Sequence, residues 1–158
     1  MATKTNAVRL VQQAGIPCRE AFYEFDEQDL SGVHAAQAIG MPEEQVFKTL
    51  VARGEKTGIN VFCIPVCCEL DLKKAAKAAG DKNMELVAVK ELLGLTGYIR
   101  GGCSPVGMKK HYPTFIDETC TLWDEIAVSA GARGHQMIVP PQPLADLVGA
   151  ELTCLLYT

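Results

Sequence analysis

Residues 101–107 read Gly101-Gly102-Cys103-Ser104-Pro105-Val106-Gly107 and end a glycine-rich segment that opens at Gly94. Two adjacent glycines permit positive φ and let a ligand approach the backbone. Successive exposed N–H groups in such a turn form an anion-binding nest. Ser104 adds a hydroxyl, and Pro105 stiffens the end of the loop. These properties suit a hole that polarises a carbonyl and stabilises its oxyanion, although a plain tight turn uses the same residues. No Gly-Lys-Ser/Thr ending is present, so this is not a Walker loop. No Gly-x-Gly-x-x-Gly opens a helix, so it is not a dinucleotide fingerprint.

On the N-terminal side of the loop, Ala7, Val8, Val11 and Ala14 follow helical spacing up to Gly15. Cys18–Phe25 reads as a strand, and a short helix runs from Ser31 or Gly32 through Ile39 to Gly40. Pro42-Glu43-Glu44 makes a helical turn. The extended stretch Lys48–Ala52, a turn at Arg53-Gly54-Glu55 and an apolar strand over Asn60–Val66 come next. Asp71 caps a helix over Leu72–Ala79 that Gly80 stops. Leu86–Val89 is expected as a strand, with a helix through Leu93. Beyond the loop come strands at Thr114–Ile116 and Ile126–Val128, a turn over Ser129–Gly134 and a return strand at Met137–Val139. A helix over Pro143–Val148 and a strand over Leu152–Tyr157 end the chain. Strands and helices mix without regular alternation, which indicates an α+β fold: a single domain over 1–158 with one mixed β-sheet and flanking helices.

The composition is that of a soluble globular protein, 48% apolar and 22% charged over 158 residues. No apolar run is long enough to span a bilayer. The start, Met-Ala-Thr-Lys-Thr-Asn, lacks the apolar core of a signal peptide, so a cytoplasmic location is expected. Seven cysteines, an odd number, argue against a disulfide framework. Cys63, Cys67 and Cys68 lack metal-ligand spacing and a nearby histidine, which counts against zinc. The net charge is −4, whereas proteins that hold nucleic acid mainly by charge are usually basic. A nucleic-acid partner would have to meet a local patch, or be held by another protein. One candidate is Lys73, Lys74 and Lys77; the other is Lys109, Lys110 and His111, with Arg100 and Arg133.

Lys48 stands between Val46-Phe47 and Leu50-Val51. A lysine at such a junction either snorkels at the surface or points into a cleft, where it binds phosphate or neutralises a developing alkoxide. Tyr23 either donates a hydrogen bond in a pocket or packs with its hydroxyl at a rim. Classical hydrolytic machinery is hard to assemble. His34, His111 and His135 stand in unrelated segments, no nucleophile elbow surrounds Ser104, and Cys103 has no local signature of a Cys-His pair.

Several segments, taken in order, resemble the YbaK/EbsC-type aminoacyl-tRNA deacylases, relatives of the editing insertion of bacterial prolyl-tRNA synthetases. They are Phe47-Lys48-Thr49-Leu50, the run from Leu70 to Lys77, the run from Thr96 to Gly107 with Lys109-Lys110, the run from Val128 to Gly134, and Leu144-Ala145-Asp146-Leu147. The resemblance implies hydrolysis of a mischarged aminoacyl ester, most often Cys-tRNA(Pro), with no metal, no cofactor and no enzyme nucleophile. It implies that Lys48 is essential, that Gly101 and Gly102 form the backbone cradle, and that Tyr23, Ser104 and Arg133 bind substrate. The substrate's own thiol, or a water, would attack the ester. The implied partners are the acceptor end of a mischarged aminoacyl-tRNA and prolyl-tRNA synthetase. The chain departs from cysteine-specific members at Ser31-Gly32, where they commonly carry Phe-Gly, and at Gln136, where some carry an acidic residue. Gly131-Ala132-Arg133 replaces a more usual Gly-Lys-Arg. Alanine or another small amino acid therefore stays open as the group removed, as does a non-catalytic binding module.

Overall fold

The computed structural model describes residues 4–158; the start of the N-terminal stretch, residues 1–3, lies outside them. Thr5 opens the first helix, α1 (Asn6–Gln13), by accepting from the Val8 amide, and Ala7, Val8 and Val11 form its buried face. Strand β1 (Arg19–Phe22) is shorter than the expected 18–25 stretch. Ser31 caps α2 (Gly32–Ile39), and Gly40 closes it in the left-handed conformation. The Pro42-Glu43-Glu44 signal yields only a 3-10 turn over Glu43–Gln45.

Strands β2 (Phe47–Gly54) and β3 (Gly58–Pro65) form a hairpin in which Gly54 faces Gly58. Asp81 fastens its turn by accepting from the Lys56 and Thr57 amides and from the Thr57 hydroxyl. Asp71 accepts from the amides of Lys73 and Lys74 to cap α3 (Leu72–Ala79). Then come β4 (Met84–Leu86), α4 (Val89–Thr96), β5 (Thr114–Asp117), β6 (Ile126–Ala132), β7 (His135–Val139), α5 (Pro141–Val148) and β8 (Glu151–Thr153).

The α+β class and the mixed sheet hold, but the strands divide between two sheets instead of forming one. The larger has the order β4-β2-β3-β5-β8, antiparallel through β3 and parallel beyond it. The smaller is antiparallel, in the order β1-β7-β6. They meet where Val46 bridges to Ala127, immediately before β2. Phe47, Cys63 and Ile116 of the larger sheet pack on Ile126, Val128 and Met137 of the smaller, with α1 and α5 completing this core. Phe62, Ile64 and Phe115 pack instead against Ala75 and Ala76 of α3 and against Leu155.

Three other expectations need correction. Gly94 lies inside α4: the helix runs on to Thr96, whose hydroxyl bonds the Leu92 carbonyl, and Gly97 closes it. The 86–89 stretch is split, because the strand stops at Leu86 and a helix begins at Val89. The 129–134 segment is mostly strand; a bulge between Ser129 and Ala132, where the Ser129 hydroxyl accepts from the Gly131 amide, absorbs the glycine and leaves only Arg133-Gly134 to turn.

Candidate functional site

A cavity of about 390 Å3 opens between the start of β2, the N-terminus of α2, the β4–α4 connection and the glycine-rich loop. Tyr23, Lys48 and Gly101 all line it, so the fold brings together three residues singled out from the sequence. Ser31, Arg100, Cys103, Ser129 and Gln136 join them. Among the described residues, Lys48 and Arg100 are the cations of the lining, and no Asp, Glu or His contributes to it. The site therefore favours negative charge and offers neither a carboxylate nor an imidazole to move a proton.

Lys48 sits second in β2, opposite Ile64, and is half-buried. Its charge reaches the Cys68 thiol, at the turn that leaves β3. Gln136 is 6% exposed, and its Oε1 has no hydrogen-bond donor among the described residues. Buried polar groups are rarely left so, and an orphaned acceptor in a cavity wall is a place for a ligand's donor. Burial pushes the Tyr23 phenol up, with Gln136 and the Gly134 backbone partly opposing it, so the phenol keeps its proton and can donate.

The loop is held by its own ends and by the β6–β7 turn. Tyr98 donates its hydroxyl to the Val106 carbonyl, the Lys109 amide bonds the Thr96 carbonyl at 3.0 Å, and Arg133 Nε bonds the Arg100 carbonyl at 2.9 Å. Gly101 has φ +86°, a conformation costly for any residue with a Cβ. Gly102 answers to a different constraint: a Cβ there would stand 3.1 Å from the backbone of Ala132 and Arg133. Its amide is also committed, donating to the Ile99 carbonyl at 2.9 Å, whereas the Gly101 amide has no acceptor among the described residues.

Gly102, Ser104 and Arg133 do not line the cavity. Ser104 is fully buried, with its hydroxyl accepting from the Val106 amide, and Arg133 braces the loop from behind. Cys103 does reach the cavity, but burial pushes its thiol up to about 11. At neutral pH only about one molecule in ten thousand would hold the thiolate, the nucleophilic form. Cys63 is pushed further by burial, to about 12. Ser129 and Thr49 also line the site and carried no local signal, because only the pairing of distant strands delivers them. Among the described residues no cluster of His, Cys, Asp and Glu could hold a metal ion, and no helix is long and apolar enough to cross a membrane.

Comparison with known proteins gives matches along most of the chain. Residues 30–147 match the aminoacyl-tRNA editing domain. A protein of Enterococcus faecalis (strain ATCC 700802 / V583), named as a candidate Cys-tRNA(Pro)/Cys-tRNA(Cys) deacylase, EbsC, is 45% identical over 148 residues, covering 94% of this chain and 90% of its own. YwhH of Bacillus subtilis (strain 168) is 24% identical over 123 residues, 78% of each chain. A solved structure described as a candidate trans-editing enzyme for prolyl tRNA synthetase superposes with a TM-score of 0.80 at 28% identity, covering 99% of this chain and 100% of the other.

Proposed function

This chain belongs to the aminoacyl-tRNA editing domain family, and from that premise we propose that it is a trans-acting deacylase, a single editing unit that cleaves the ester of mischarged Cys-tRNA(Pro). The observation that carries the reading is the cavity wall, which among the described residues combines two cations and an orphaned acceptor with no carboxylate or imidazole. A pocket of this volume is in the range that encloses small ligands. Such a wall suits an ester whose own substituent supplies the nucleophile.

In this reading Gln136 Oε1 accepts from the α-ammonium group of the aminoacyl moiety, and the Tyr23 hydroxyl helps to seat it. The free Gly101 amide polarises the ester carbonyl. Gly102 acts by being small, letting the loop lie against the Ala132 backbone. Lys48 stabilises charge building on the ribose oxygen. The substrate thiol attacks the carbonyl carbon as the carbon–oxygen bond to the ribose breaks; the thiol proton ends on the ribose hydroxyl, and water later opens the cyclic thioester. The rate then comes from proximity and preorganised electrostatics. Ser104 and Arg133 serve the site by holding the loop.

The Cys-tRNA(Pro) assignment draws support from the 45% identical relative, whose name carries that substrate. Alanine is the second reading, because Ser31 rather than an aromatic side chain stands at the cavity wall, its hydroxyl engaged with Asp29 and the His34 amide. With a net charge of −4, tRNA is held weakly, and the protein works in the cytoplasm beside prolyl-tRNA synthetase. The test is amino-acid release from Cys-tRNA(Pro), Ala-tRNA(Pro) and mischarged Ser-tRNA. Turnover should be fastest on the first, and Lys48→Ala should lower kcat by about a hundredfold or more, as for loss of a transition-state donor. Turnover on none of the three, or full activity in the lysine variant, would refute the proposal.

A further inference from the structure

We infer that the apolar lip of the cavity, Leu86 and Val89, is the seat of the terminal adenine of the tRNA. The inference rests on the deacylase reading above and adds a binding subsite to it. Leu86 is 48% exposed and Val89 60% exposed, yet both also line the cavity. Large apolar side chains left open at the mouth of a pocket are a mark of recognition surfaces. Here they are continuous with the chamber that holds the ester. The geometry of an aminoacyl ester limits the occupant. The nucleoside attached to the reacting carbonyl cannot be far from it, so a terminal base must lie at the mouth.

The charge around the lip agrees with that occupant. Glu91 is the acidic residue in the first turn of α4, and it is taken up by Arg53 at 2.9 Å and by the Ala88 amide. Glu85 precedes Leu86 in an extended strand, so it faces the other side of the sheet. The lip therefore presents hydrocarbon, with Lys48 and Arg100 in the same cavity to meet the sugar–phosphate. Aliphatic side chains against a base face bind without reading its edge, as in enzymes that hold an unstacked base between apolar side chains.

The experiment uses the whole protein and aminoacyl-tRNA, comparing Val89→Asp, Leu86→Ser and a control, Leu122→Asp. Leu122 is 77% exposed and lies outside the cavity. All three positions are exposed, so folding should survive. Val89→Asp and Leu86→Ser should each raise KM by about tenfold, as expected for losing the burial of an apolar side chain against a base, while kcat at saturation stays within about twofold and Leu122→Asp matches wild type. An unchanged KM in both lip variants overturns the inference while leaving the deacylase reading intact. So does an equal rise in the Leu122 control, or a wild-type dimer that Val89→Asp converts to monomer, which would assign the lip to a second copy of the chain. If wild-type protein releases no amino acid from any mischarged tRNA, the deacylase reading falls and the inference falls with it.

Discussion

At Gln136 a buried carbonyl oxygen goes without a donor, a state that costs about 1–3 kcal/mol. A natural protein tolerates such a cost where function collects the benefit. Gln136→Met, close in volume and free of the polar atom, should therefore raise the thermal midpoint by a few degrees while lowering kcat/KM by about tenfold or more. Thermal unfolding and deacylation measured on the same preparation check both halves, and a variant that loses stability along with activity would contradict the role given to this oxygen. Cys103 should behave oppositely. Its thiol is protonated and packs with Val51 and Val61, so Cys103→Ala should keep turnover within a few-fold and lose about 1 kcal/mol or more of stability. Native-state alkylation should obey the same logic: the exposed Cys67 and Cys154 react first, whereas buried Cys63, Cys103 and Cys120 stay protected.

Among the elements, the loop from Gly97 to Gly107 shows how two neighbouring glycines serve different ends. Gly101→Ala strains the backbone at φ +86°, about 1–2 kcal/mol, and should cut kcat because it re-aims the free amide. Gly102→Ala meets the β6–β7 backbone and should destabilise the loop as a body, which faster amide exchange over residues 98–106 would report. These glycines, Lys48 and Tyr23 were legible in the sequence as candidates, and so was α3 with its Asp71 cap, because capping and chain reversal are local chemistry. The bulge in β6 was not legible: a run of Ser, Ala and Gly carries turn signals that only pairing with β7 overrides. The commitments of Ser104 to Val106 and of Gly102 to Ile99 were hidden for the same reason, since residue type says what can bond and the folded loop decides what does. The two sheets meet at the bridge between Val46 and Ala127, which no periodicity announces.

Taken whole, the molecule places a weakly cationic cavity in an acidic protein. With few phosphates neutralised, tRNA association should weaken with salt at a slope of about −2 to −3 in log–log terms, and a partner that supplies basic surface should steepen it. Acid should act through a small set of surface carboxylates. The hydroxyl and amide of Ser31 hold Asp29 below the usual carboxylate range, and Arg53 with the Ala88 amide does the same for Glu91. Asp81 is lowered too: desolvation opposes its charge, but bonds from Thr57, Lys82 and Lys56 outweigh it. Folded-state values below the unfolded ones mean that this stability is fully present above about pH 4 and is lost as pH falls further. Thermal midpoints taken from about pH 5 down to about pH 2.5 should fall, and less steeply in Asp81→Asn. The absence of carboxylates and imidazoles from the described cavity lining has a last consequence, which concerns kinetics. No carboxylate or imidazole of that lining would then shape the pH–rate curve near neutrality, so the curve carries the signature of the cargo. Cysteinyl-tRNA should be deacylated faster as its thiol approaches ionisation at about pH 8.5, while alanyl-tRNA should show no rise of that origin, and the contrast would identify the edited amino acid without any change to the protein.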